Sequence, residues 1–240
     1  MNTVDIVFSP ELIEAYTDKT SLCIVIDILR ASSTIITALA NGAEAIYPLS
    51  DISEAETKAE EGLLVGAERN VLKCNFSAFG NDPAEYASEK VMGKSIYFTT
   101  TNGTYTIRRC LKFGHSVVIG GFININAIVR SCSGKDVLCV CAGWKGKFCV
   151  EDAFYAGAIV ERLKHSHKIG SDAGRLMKEI WDRHKNEKFT FIQDSDHYER
   201  MTRAGKEDAV PYCLTEDITN TVPTATIDEA GIISLRGIRY

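Results

Sequence analysis

The stretch Leu22-Cys23-Ile24-Val25-Ile26-Asp27-Ile28-Leu29-Arg30-Ala31-Ser32-Ser33 decides the fold. Leu22 to Ile28 is apolar but for one acid and rich in β-branched side chains, which predicts a strand covered on both faces, as in a parallel sheet. A helix is expected from about Ser33 to Asn41, with Gly42 as its stop. Ser95 to Thr99, Ser116 to Ile119 and Asp136 to Cys141 repeat the apolar pattern, and helical segments separate them. That alternation predicts an α/β fold of three layers, with helices on both faces of a mostly parallel or mixed central sheet.

Other elements are marked by their ends. Ser53-Glu54-Ala55-Glu56 has the form of a capping box, with Gly62 as the stop, and Asp82-Pro83-Ala84-Glu85 opens a segment that runs to Gly93. Further helices are expected from Glu151 towards His165, from Asp172 to about Lys185 with Leu176, Ile180 and Trp181 on one face, and from Asp196 to Ala204. Ala225 to Ile227 and Ile232 to Leu235 form a C-terminal β-hairpin around Asp228-Glu229-Ala230-Gly231. No Pro, Gly and Ser linker divides the 240 residues, so the expectation is a single domain over 1–240, or two closely packed lobes.

Composition narrows the function. Lys plus Arg number 27 against 32 Asp plus Glu, a formal net charge of −5, which argues against a nucleic-acid partner. No apolar stretch is long enough to span a bilayer, so no membrane partner is expected. The first residues lack a basic segment followed by an apolar run, and the eight Cys have neither C-x-x-C spacing nor the Cys/His spacing of a zinc site. The default reading is cytoplasmic, with Cys23, Cys139 and Cys141 as core residues. None of the five His has a partner at metal spacing, so each is expected at the surface or in an ordinary hydrogen bond.

The chemistry collects after the apolar runs. Asp27 and Arg30 follow the first, Glu68 and Arg69 follow Leu63 to Val65, and Thr100 to Thr104 follows Ser95 to Thr99. Gly143, Lys145 and Lys147 follow Asp136 to Cys141 and lead to Glu151 and Asp152. Ligands of open α/β sheets bind beyond the carboxyl ends of strands, so these segments are expected to meet at one cleft. Asp27 with Arg30 is either a carboxylate for a metal or proton beside a guanidinium for an anion, or a mutually satisfied pair. Thr101, Asn102, Gly103 and Thr104 offer backbone N–H groups and hydroxyls for an anion nest, or form a plain Asn-Gly turn. Glu151 and Asp152 either hold Mg²⁺ or favour a first helical turn. Asn124 and Asn126 either bind a ligand or, for Asn126, cap a helix from Ala127; Trp144 is read as a rim or packing residue.

Taken in order, Val25 to Thr34, Gly66-Ala67-Glu68-Arg69, Gly80-Asn81 with Pro83, Thr99 to Thr104, Asn126-Ala127, and Cys141-Ala142-Gly143 through Glu151-Asp152 with Ala156-Gly157 resemble the 2-phosphosulfolactate phosphatase family. Ser171-Asp172-Ala173 and Val222-Pro223 extend the resemblance. The chain departs from the family pattern at Ala78, where an Asp is usual, and at Asp82, where a Ser is usual. The resemblance implies a Mg²⁺-dependent hydrolase that cleaves 2-phospho-3-sulfolactate to 3-sulfolactate and phosphate, a step of coenzyme M biosynthesis. Asp27, Arg30, Glu68 and Arg69 are then the candidate catalytic residues, and Asp27, Glu68, Glu151 and Asp152 the candidate metal ligands. Asn81, Thr101, Asn102, Gly103, Thr104, Asn126, Gly143, Lys145 and Lys147 are the candidate substrate contacts. The partner is a small anionic phosphorylated molecule, with a homodimer left open. The competing readings are a non-catalytic module that binds an anionic metabolite, and a nucleotide-dependent enzyme, weakened because no G-x-G-x-x-G follows a strand.

Overall fold

The computed structural model describes residues 1–17 and 21–240. In chain order its elements are β1 (Asn2–Val7), β2 (Leu22–Ile26), α1 (Ala31–Ala40), β3 (Ala45–Pro48), α2 (Ile52–Glu60), β4 (Val65–Arg69) and β5 (Leu72–Lys73). Then come α3 (Ser88–Val91), β6 (Ser95–Thr99), α4 (Gly103–Lys112), β7 (Ser116–Gly120), α5 (Ile125–Ser131), β8 (Val137–Cys141), α6 (Val150–Leu163) and β9 (His167–Ile169). The chain closes with α7 (Asp172–His184), α8 (Lys188–Ile192), α9 (Asp196–Arg203), α10 (Val210–Leu214), β10 (Thr221–Ile227) and β11 (Ile233–Arg239). No helix among the described residues is long and apolar enough to cross a membrane.

The expected α/β architecture is present, with a mixed sheet of eleven strands in the order β5-β4-β6-β3-β11-β10-β7-β2-β8-β1-β9. Two parallel groups, β4-β6-β3 and β7-β2-β8-β1-β9, are joined by the antiparallel C-terminal hairpin. One registered pair fixes each seam, Thr224 with Val118 and Leu235 with Ile46. Both seams and the hairpin between them are antiparallel, three reversals in all, so the two groups run in opposite senses along the sheet. A flat sheet would place their carboxyl ends at opposite edges. Instead the sheet folds over, and α1 and α4 pack between the groups: α1 touches β7, β10, β11 and β3, while α4 touches β2, β7, β3 and β6.

The period-2 geometry of β2 explains its continuous apolarity. Cys23 and Val25 face the layer of α1 and α4, packing with Ile35, Ile36, Ile107 and Leu235. Ile24 and Ile26 face the outer helices, packing with Ile128, Phe154 and Ile159. A smaller core of Leu49, Ala55, Val65 and Ala67 seats α2 on β4. Each parallel group is thus a three-layer sandwich, and the helical layer of α1 and α4 is shared. The sheet ends in the short strands β5 and β9, which offer little unpaired backbone to another chain.

Local expectations moved in several places. The β2 strand stops at Ile26 because the Asp27 N–H donates to Ser32 Oγ (2.9 Å) and the Ser32 N–H donates to the Asp27 carbonyl (2.8 Å), which turns the chain into α1. The cap of α2 is Asp51, not Ser53; its carboxylate accepts the Glu54 N–H at 2.9 Å, and Glu54 reaches back to the Ser50 N–H. Asp82 caps as expected, but the segment to Gly93 breaks into a short 3₁₀ turn, Pro83–Glu85, and the single turn of α3. On α7 the buried face is Gly174, Met177 and Trp181, and Leu176 is exposed. The hairpin is longer than expected, and β1, β3 and β9 carry too few apolar residues to have declared themselves as buried runs.

Leu235 is fully buried where the hairpin meets α1 and β3, so Leu235→Ala should cost about 2–5 kcal/mol. Urea unfolding at neutral pH measures this; a loss under about 1 kcal/mol would show that the seam is not a core.

Candidate active site

The folding-over of the sheet at the hairpin brings the loops after β2, β4, β6 and β8 to one cleft. Asp27, Leu29 and Arg30 enter it from the β2–α1 loop, Glu68 and Val71 from the β4–β5 hairpin, Asn102 from the start of α4 and Trp144 from the β8–α6 loop. Asn81 and His197 complete the wall. The cleft is tight, with a cavity volume of about 10 Å³, far below the usual 300–1,000 Å³ of pockets for drug-sized ligands, so it suits an ion or a small polar group.

Asp27 stands at the end of β2, and its Oδ1 accepts the Ala31 N–H at 3.2 Å. Its Oδ2 points at the first residue of α4, where a Cβ on Gly103 would lie 3.0 Å from it and 2.9 Å from Ala31 Cβ. Glycine is therefore required there by close approach. Burial raises the Asp27 pKa to about 6; the charge of His197 and the Ala31 N–H work in the other direction, and Glu68 and Glu151 add to the rise.

Glu68 is held by the turn beyond it. Asn70 and Val71 both have positive φ, +52° and +75°, in the two-residue turn between β4 and β5. A β-branched residue is strained in that region, and Val71 is fixed there by both of its backbone groups. Its N–H donates to Glu68 Oε1 at 2.5 Å, and its carbonyl accepts Arg30 Nη2 at 3.2 Å. The Thr101 hydroxyl donates to Glu68 Oε1 (3.1 Å) and its N–H to Oε2 (3.3 Å), which docks the β6–α4 loop on the same carboxylate.

Arg30 is buried, but its ion pair is with Asp82 (Nη1 to Oδ2, 3.0 Å), so the mutually satisfied Asp27–Arg30 pair is replaced by a longer-range one. Asp82 thus neutralises the best-placed cation. Ala78 contributes its carbonyl, which accepts Lys73 Nζ at 2.7 Å.

Asp152 is a strap. Its Oδ1 accepts the Ile28 N–H (2.9 Å) and its Oδ2 the Gly143 N–H (3.0 Å), tying the loops after β2 and β8 together. Burial, with Glu151 and Asp27 nearby, pushes its pKa well above the usual carboxylate range. Glu151, also in the first turn of α6, meets His197 Nδ1 with Oε1 at 2.9 Å, while its Oε2 is buried without a hydrogen-bond partner among the described residues.

The remaining candidates divide. Asn81 lines the cleft with Oδ1 buried and unpartnered among the described residues. Asn102 Oδ1 accepts the Lys145 N–H at 2.9 Å, and Thr104 caps back onto Thr100. Lys145 is exposed at the rim, with Nζ on Asn70 Oδ1 (3.0 Å). Three expectations fail on position. Arg69 lies back along its own strands, donating to the Glu68 carbonyl (2.6 Å) and Thr99 Oγ1 (2.9 Å). Lys147 is exposed on the loop outside the lining. Asn126 is exposed on α5, where its N–H and Nδ2 bond Asp217, and Asn124 is a buried brace between Gly121 and Thr221.

The residue missed from sequence is His197. It is buried, lines the cleft and packs edge-on against Trp144 at 5.4 Å between centroids. Its partner Glu151 is distant in sequence, so spacing gave no sign of it; only the expected helix from Asp196 hinted that the segment was ordered.

Comparison with known proteins identifies the family. The family model of 2-phosphosulpholactate phosphatase matches residues 7–227. A probable 2-phosphosulfolactate phosphatase of Thermotoga petrophila is 41% identical over 223 residues, covering 92% of this chain and 94% of that protein. Proteins of the same description from Clostridium tetani (33% identical; 92% and 96% covered) and Gloeobacter violaceus (32% identical; 96% and 97% covered) match along similar lengths. The chain belongs to the 2-phosphosulpholactate phosphatase family.

Proposed function

We propose that the chain hydrolyses the phosphate ester of 2-phospho-3-sulfolactate, or of a closely related phosphorylated hydroxy acid, with Mg²⁺ in the cleft, as a coenzyme M biosynthesis-type step in the cytoplasm. The observation that carries this reading is the convergence of Asp27, Glu68 and the unpartnered Asn81 Oδ1 in one small cleft at the start of α4. These are hard oxygen donors, and Mg²⁺ takes one or two carboxylates and completes its shell with water and substrate phosphate. The donor set therefore fits the ion. Asp27 Oδ2 and Glu68 would hold it, and when bound it supplies charge against the phosphoryl oxygens and orients them.

The chain's own groups supply the rest. Phosphate monoester hydrolysis is among the slowest uncatalysed reactions, with accelerations of up to ~10²¹, so no single contact suffices. The backbone N–H groups at the start of α4 face the phosphoryl group, and the Thr100 hydroxyl, buried without a partner among the described residues, stands beside them. Lys145 at the rim presents positive charge to the carboxylate and sulfonate of the substrate, while Arg30, ion-paired with Asp82, shapes the wall of the cleft. Asp27 either orients the attacking water or attacks phosphorus itself. Its raised pKa keeps it available to hold a proton near neutrality when no cation is present.

Two outcomes are expected. Phosphate release from 2-phospho-3-sulfolactate should need Mg²⁺, exceed release from other phosphorylated hydroxy acids, and fall about 10²–10⁴-fold in Asp27→Asn. Tight binding without turnover, or full activity in the variant, would contradict the assignment. The second concerns pH. The folded chain binds the Asp27 proton more tightly than the unfolded chain, so stability drops as pH rises from 3.8 to about 6, by roughly 3 kcal/mol. In chelator-treated protein, Asp27→Asn should therefore gain stability over the wild type across that window and keep the gain above it. A difference independent of pH in urea unfolding would show that Asp27 is not perturbed.

A further inference from the structure

Behind the cleft wall at His197 lies a second donor set of different hardness. Cys149 and Glu151 sit at the start of α6 and His197 in the first turn of α9; all three are buried, and one donor atom of each lies within 4.8 Å of the others. We propose that Cys149 Sγ, a carboxylate oxygen of Glu151 and an imidazole nitrogen of His197 bind a thiophilic divalent cation of the zinc class.

Each member has a reason to accept a cation. The Cys149 side chain occupies the N-cap position of α6 and makes no capping bond there. Glu151 is 1% exposed and its Oε2 has no hydrogen-bond partner among the described residues. His197 Nδ1 and Glu151 Oε1, 2.9 Å apart, share a proton whose place a cation can take. Donors on a tetrahedral Zn²⁺ stand about 3.5 Å apart, so the cluster closes on an ion with side-chain movements of about 1 Å. Binding releases the thiol proton and the shared proton to solvent, so the two charges of the cation replace those of the two protons and the site gains no net charge. His197 lines the cleft, which provides an entry path and leaves a fourth position open to water.

Sulfur and imidazole select against Mg²⁺, whereas the Asp27 and Glu68 oxygens prefer it. Two neighbouring positions of different chemistry follow, one on the β2 and β4 loops and one joining α6 to α9. This proposal stands apart from the phosphatase reading.

The test uses the full chain, freed of metal by chelation, with Co²⁺ as the probe. A thiolate-to-metal charge-transfer band in the near ultraviolet should saturate at one Co²⁺ per chain and be displaced by Zn²⁺. It should disappear in Cys149→Ser, and Zn²⁺ affinity in His197→Gln should fall by at least the roughly 10–100-fold that loss of a supporting partner costs. No band in the wild type, a band that persists in Cys149→Ser, or unchanged Zn²⁺ affinity in His197→Gln would overturn the site and leave only a His197–Glu151 ion pair. The wild-type spectrum needs no variant, so a folding failure does not remove the test. Mg²⁺-dependent phosphate release should persist in Cys149→Ser, which separates failure of this site from failure of the phosphatase reading.

Discussion

Four carboxylates buried around one cleft are the constraint on which the rest of the structure depends. Asp27, Glu68, Glu151 and Asp152 are each at least nine-tenths removed from water, while the one buried guanidinium beside them, Arg30, is taken by Asp82. Uncompensated buried charge is expensive, and a folded chain relieves it by hydrogen bonds, shifted pKa values or a bound cation. The first two appear here. Asp152 takes two backbone N–H groups, Glu68 takes three donors, and Asp27 is pushed towards its neutral form. What remains after those adjustments is a set of oxygen atoms aimed into a small space, which is the chemistry of a divalent cation and a phosphate.

The fold delivers that arrangement through the C-terminal hairpin. Without the antiparallel pair between them, β4-β6-β3 and β7-β2-β8-β1-β9 would be two separate parallel sheets, each with its own carboxyl edge. The hairpin reverses one against the other, and the shared layer of α1 and α4 holds them close enough for Gly103 to touch Asp27. Residues near the chain's end therefore position a site whose lining residues, all but His197, enter from the chain's first two-thirds. The Val71 turn is the local counterpart: an unfavourable backbone conformation is kept because it serves Glu68 and Arg30 at once.

Much of this was legible in the sequence because it is local. The continuous apolarity of Leu22 to Ile26, the polar segment after each strand and the stop at Gly42 follow from strand period, topology and glycine geometry, and the structure brings Asp27, Glu68 and Asn102 to the shared cleft that they predict. The resemblance carried by those same segments supplied the family. What was hidden depends on contacts distant in sequence. Arg30 chose Asp82 over Asp27, Arg69 turned back onto Thr99, Asn126 found Asp217, and His197 arrived from a polar segment that no periodicity tied to Glu151. Apolar pattern reports which face is buried; it does not report which charge a buried side chain will meet.

The most direct measurement is calorimetric titration of Mg²⁺ into the chelated full chain and into Asp27→Asn at neutral pH. If the buried carboxylates form a cation site, the wild type binds Mg²⁺ and the variant loses most of that affinity while remaining folded. Equal affinity in the two proteins, or no binding to the wild type, would contradict the account.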